Sequence, residues 1–108
     1  MRMLNAIVAL MLIAPAIAGA AELGNVSSGH AYAKKVCSAC HAVEAGDKFS
    51  PELLAPTFDS IAATPGMNER ALGVWLRGSD HDSMPNLILT PENLDNVVAY
   101  IMSLQAKN

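Results

Sequence analysis

Cysteine, basic charge and alternating polar–apolar runs are all scarce in this 108-residue chain. It has two cysteines, so no framework of several disulfides holds it together, and no second cysteine pair completes a four-ligand zinc site. Seven lysines and arginines stand against ten aspartates and glutamates. Nowhere do they gather into a stripe, which excludes a nucleic-acid-binding surface. The lack of strand alternation excludes the strand–helix–strand setting that a thioredoxin-type cysteine pair requires. No internal repeat or low-complexity tract occurs, and no acid, base and nucleophile constellation marks a catalytic centre.

What is present begins with a leader. Arg2 supplies a positive start, Ala6 to Ala14 form an unbroken apolar run, Pro15 interrupts it, and Ala18-Gly19-Ala20 offers a small-x-small cleavage pattern. Residues 1–20 are read as a cleavable secretory signal, cut after Ala20 or one residue later. The rival is a retained membrane anchor, because no charge occurs between Arg2 and Glu22. The proline and the small residues favour cleavage, and export to the periplasm follows. Residues 21–108 then form one domain with six basic residues against ten acidic ones, a net charge of −4. A chain of this size buries only about 60% of its extended surface and is marginal alone. A large apolar cofactor serving as core would repair that.

Both cysteines fall in one string, Cys37-Ser38-Ala39-Cys40-His41. C-x-x-C-H is the attachment signature of a c-type haem. Thiols three positions apart lie about one helical turn from each other, suited to the two vinyl groups on one porphyrin edge, and His41 follows as the proximal iron ligand. A redox dithiol, half a zinc site and a plain disulfide loop compete with this reading. The first lacks its strands. The second lacks a partner pair, since His30 and His81 are far apart in sequence. In an oxidising compartment two free thiols would pair with each other, a fate that thioether bonds avoid.

The rest of the exported chain reads as all-α. Ser27 or Ser28 is expected to cap a first helix from Gly29 toward Cys40, with Gly29, Ala33 and Val36 on one side and Lys34 and Lys35 on the other. Gly46, Pro51 and Pro56 break the chain from Ala42 to Ala63, leaving a loop and a short helix over Phe58 to Ala63. Asn68 caps a helix from Glu69 to Arg77, which Gly78 ends, and a polar loop runs on through Asn86. The last helix starts at the Thr90 cap with Pro91 at its first position and Glu92 set against the dipole. Leu94, Val97, Val98, Ile101 and Leu104 form its apolar stripe.

An electron-transfer haem needs a second axial ligand. Met84, followed at once by Pro85, is the choice: thioether sulfur favours ferrous iron and raises the reduction potential, and the proline restrains the loop. His81 is the alternative, giving a bis-histidine iron. Met67 and Met102, beside a cap and within a helix, read as packing residues. Asp80 and Asp82 beside His81 read as a solvated loop.

The order of a helix with Gly29, then C-S-A-C-H, then Ala55-Pro56-Thr57-Phe58, then Met84-Pro85, then a terminal helix with Tyr100 resembles a class I cytochrome c across essentially the whole exported chain. The resemblance implies three to five helices wrapped around one covalently bound haem, with the first and last crossing at Gly29 and Tyr100. It implies that the Pro56 carbonyl accepts the Nδ1 proton of His41, orienting the ring and strengthening its donation to iron. Ala55 stands where the family has glycine. Ala33 stands where many members have an aromatic, with Tyr32 one place off. Phe58, Leu87 and Leu89 are candidates for the haem faces, as they are for ordinary core. Trp75, the single tryptophan, either gives its indole N–H to a haem propionate or fills core beside Leu72 and Leu76; the second is the favoured expectation.

These features describe a small exported monohaem carrier, not an enzyme. It would take one electron from a donor dehydrogenase or respiratory complex and pass it to an acceptor oxidase or reductase. Its partners are redox proteins met as a monomer or in transient complexes, with membrane contact only if the leader is retained. Lys34 and Lys35 are candidates for touching an acidic partner, or are simply a solvated helix face. Two other classes stay open: a haem enzyme or gas sensor with a free sixth position, and an electron-accepting subunit bound to one dehydrogenase.

Overall fold

In the computed structural model, residues 9–12, 24–78 and 89–107 are described. The expectations placed on Asp80, His81, Asp82, Met84, Pro85 and Leu87, and on most of the leader, lie outside them. Four helices occur among the described residues: α1 (Val26–Val36), α2 (Phe58–Ala62), α3 (Glu69–Arg77) and α4 (Pro91–Ser103). Short 3-10 turns, Cys37–Ala39 and Leu104–Lys107, extend α1 and α4. No strand appears among these residues, and none of their helices is long and apolar enough to cross a membrane.

Three of the four caps sit where local chemistry demands. Thr57 Oγ1 accepts from the Ser60 amide, Asn68 Oδ1 from Ala71, and Thr90 Oγ1 from Asn93, each satisfying an amide that the first turn leaves without an intrahelical acceptor. The first helix departs from expectation. Asn25, not Ser27 or Ser28, is its cap, and its side chain accepts from the Ser28 amide at 2.8 Å. The reason is tertiary: the Asn25 amide itself donates to Asn96 Oδ1 on α4 at 2.8 Å, which pins the chain at that residue and starts the helix three positions early. The short second helix ends at Ala62, one residue before the expected Ala63.

The core lies where α4 meets the other helices. All five residues of the predicted stripe, Leu94, Val97, Val98, Ile101 and Leu104, are buried, together with Ala33, Phe58, Ile61 and Leu72. Ala33 is fully buried and Tyr32 packs partly against the cluster, so a methyl group and a displaced ring share that helix contact. Met67 and Met102 pack against the same core as half-buried side chains. The closest approach is between α1 and α4. A Cβ added at Gly29 would fall 1.8 Å from the Asn96 carbonyl oxygen, and one at Gly24 would fall 2.1 Å from that of Asp95. The two backbones touch because no side chain intervenes. At the other end of α4, Gln105 Nε2 donates to the Ala62 and Met67 carbonyls at 3.2 and 3.1 Å, tying the C-terminal turn to the chain between α2 and α3.

Candidate functional site

The cysteine string is the continuation of α1. After Val36 the helix tightens, and the Cys40 and His41 amides both donate to the Cys37 carbonyl, at 3.2 and 2.9 Å. That turn presents Cys37, Cys40 and His41 to one cleft. The two sulfurs are half-buried and not bonded to each other, so the string is not a closed disulfide loop in this structure. Burial pushes the Cys37 thiol up to about 11. Among the described residues no group of three or more His, Cys, Asp or Glu side chains is placed to hold a metal ion, so the pair has no zinc partners there.

His41 is buried, and its orientation is set by one bond. Nδ1 lies 2.7 Å from the Pro56 carbonyl oxygen. A carbonyl only accepts, so Nδ1 carries a proton; in the neutral ring Nε2 then keeps its lone pair, and it has no protein hydrogen-bond partner among the described residues. The loop that brings Pro56 here is laced to the cysteine turn. The Ala42 amide donates to Ser50 Oγ at 3.0 Å, the Glu52 amide to the Cys40 carbonyl at 3.1 Å, and the Phe58 amide to the Ala42 carbonyl at 2.9 Å. Phe58, buried at the start of α2, stands with its ring centroid 5.6 Å from that of His41.

The cleft is narrow, about 110 Å3, and opens to solvent. Apart from the cysteine turn and Phe58, its wall comes from α2, α3 and α4 through Ile61, Leu72, Leu76, Val97 and Ile101, with Leu89 ahead of α4. It is an apolar slot with a single imidazole and two thiols on its wall. Those residues fit a haem: the slot suits a flat apolar ring, the thiols suit its vinyl edge, and the available Nε2 lone pair suits its iron. Trp75 also lines the slot, but the expectation that it fills core is corrected, since it is 42% exposed while Leu72 is fully buried. On α3 the positions four apart, Leu72 and Leu76, take the inner face. Trp75 falls beside them at the cleft. Leu89, like Phe58, is a haem-face candidate of the sequence and lines the slot; the other aliphatic residues of the wall carry no such assignment, although the apolar spacing on α4 holds the signal for Val97 and Ile101.

A second cluster, invisible in the sequence, braces the site from behind. The Tyr100 hydroxyl donates to the Val43 carbonyl at 2.5 Å, and its ring stacks on His30 with centroids 4.5 Å apart. His30 Nε2 in turn donates to the Glu44 carboxylate, 2.8 and 2.9 Å from its two oxygens. This joins α1, α4 and the chain just after His41. Burial, and then the negative charges of Glu44, Asp59 and Asp47, push the Tyr100 phenol up to about 12. Since the folded protein resists its ionisation, this stabilisation is complete below the usual value near 10 and is lost as pH climbs toward 12. Tyr100→Phe is expected to cost about 1–3 kcal/mol at neutral pH, because the Val43 carbonyl loses its donor. Melting curves taken from about pH 9 to 12 should fall more steeply for the wild type than for the variant; parallel slopes contradict this.

A family model described as Cytochrome c matches residues 26–105. No curated protein and no solved structure gives a match.

Proposed function

Because the chain belongs to the cytochrome c family, we propose that this haem-binding electron carrier is an exported protein whose iron is held between His41 and Met84. Its cofactor is haem c, covalently bound, with Cys37 and Cys40 at the C-x-x-C-H position. The leader of residues 1–20 routes it to the periplasm, and residues 21–108 are the working domain. Haem supplies an iron that passes between ferrous and ferric forms. The protein's own residues do the rest. Cys37 and Cys40 would fasten the porphyrin edge, and Pro56 holds the His41 ring by its Nδ1, which would strengthen donation from Nε2 to the iron. Phe58 and the aliphatic wall exclude water, and Trp75 lines the same slot. With Met84 as the second ligand, no iron position is open to a substrate, which suits outer-sphere transfer between a donor dehydrogenase or respiratory complex and an acceptor oxidase or reductase.

The observation that carries this reading is the His41–Pro56 bond beside two cysteines in an apolar slot. An absorption spectrum after alkaline pyridine treatment tests it: the exported protein should show one covalently bound haem c, and a colourless product from a host equipped for haem attachment would end it. Met84→Ala should lower the reduction potential by on the order of a tenth of a volt or more, out of the roughly 0.8 V that axial ligation commands. It should also let the reduced protein bind carbon monoxide, which the wild type resists at neutral pH. An unchanged potential would move the distal role to His81.

A further inference from the structure

We propose that Asp59 is a redox-tuning residue: its carboxylate, set into the His41 side of the site, favours the ferric iron and holds the reduction potential down. The inference rests on the electron-carrier reading and adds a residue that sets the level at which the electron is held. Asp59 directly follows Phe58, whose ring stands 5.6 Å from that of His41 and 6.2 Å from that of Tyr100. One carboxylate oxygen, Oδ2, accepts from the Gly46 amide at 2.6 Å. The other, Oδ1, is buried and meets no donor among the described residues. A buried acceptor in that position is a net cost to the fold. A neutral asparagine could hold Gly46 equally well through its own carbonyl oxygen. What asparagine lacks is the charge.

Three carboxylates, Asp59, Glu44 and Asp47, gather behind His41, and their field reaches the Tyr100 hydroxyl that donates to Val43. They are not equivalent. Glu44 is bonded to His30, and Asp47 is exposed with Lys48 next to it. Asp59 is partly buried and forms no ion pair among the described residues. Its field is therefore neither cancelled by a cation nor fully screened by water. When the iron gives up one electron it gains one positive charge. A carboxylate beside the site stabilises that oxidised form more than the reduced one, against the raising effect of a thioether ligand.

The test compares the holoprotein with its Asp59→Asn and Asp59→Glu variants. Asparagine keeps the acceptor for Gly46 and removes the charge, whereas glutamate keeps the charge. Poised against one ferricyanide/ferrocyanide mixture, Asp59→Asn should show a ferrous-to-ferric ratio about threefold above the wild type. That is a rise in potential of about 30 mV, at 59 mV per tenfold for one electron. The shift should persist at high salt, and Asp59→Glu should stay within about twofold of the wild type. Tyrosine NMR gives a readout independent of the iron: in Asp59→Asn the Tyr100 phenol should ionise below its wild-type value of about 12. An unchanged potential in Asp59→Asn, or an equal rise in both variants, overturns the role of the charge and leaves the carrier reading intact. So does a shift that high salt abolishes, or a Tyr100 phenol that does not move. A wild type with no reversible haem couple defeats the carrier reading itself, and this inference with it.

Discussion

His41→Ala is expected to abolish normal axial ligation and to leave a loosely folded domain. Loss of a residue that merely orients a metal-binding histidine costs 10–100-fold in affinity or activity; removal of the imidazole takes away the bond itself. The deletion also leaves the Pro56 carbonyl without the Nδ1 donor now 2.7 Å away, a cost of about 1–3 kcal/mol when no water replaces it. It opens a void beside Phe58 in the slot that α2, α3 and α4 line. In a domain this small those losses fall on a stability of only about 5–15 kcal/mol. Absorption spectra and melting curves of the purified variant measure both effects. Added imidazole should restore much of the ligand-field signature without restoring the melting temperature, because free imidazole is not tethered to the chain. A variant with the wild-type spectrum and melting temperature would show that His41 is not the ligand.

Gly29→Ala should be the most destabilising small substitution outside the cleft, and Gly73→Ala its opposite. At Gly29 the new Cβ would meet the Asn96 carbonyl oxygen at 1.8 Å, its carbon at 2.5 Å and the Tyr100 Cβ at 2.9 Å. Two of those three atoms are backbone, which no rotamer change can move aside. The helices would have to separate, loosening Tyr100 from Val43 and Asn25 from Asn96 along with them. A net loss of about 3 kcal/mol, at the upper end of ordinary overpacking, corresponds to a fall in melting temperature of roughly 10–25 °C for a domain of this length. Gly73 lies within α3, and a Cβ there meets nothing within 4 Å. Alanine at that position should raise stability by about 0.5–1 kcal/mol, since it restricts the unfolded chain and favours the helix. Thermal melts of the two variants side by side check the contrast. Similar shifts in both would mean that the α1–α4 contact is not the tight one.

Much of the framework was readable from particular residues. Asn68 and Gly78 bracket α3 over Glu69–Arg77, and Thr90-Pro91 starts α4 where the apolar stripe begins. These signals act within one turn of chain, so they survive without knowledge of the fold. The pairing of Gly29 with Tyr100, and of Pro56 with His41, came through the family resemblance and not from spacing. Other features had no local signature. Asn25 displaced two serines as cap because Asn96 holds its amide. Trp75 went to the cleft because its two α3 neighbours took the inner face. The stack of His30 on Tyr100 and the Glu44 bond behind it join residues up to 70 positions apart.

Composition and order alone decided the cofactor chemistry, since two thiols and an imidazole on one turn are a local arrangement that any helical end would present together. They also decided the helical class and which face of α4 is buried, because those depend on a period of 3.6 residues. Tertiary structure decided which side chains wall the slot, how closely α1 and α4 approach, and which apolar residues stay in water. Each is a question of what remains unoccupied once distant segments have packed, and no stretch of chain carries that information by itself.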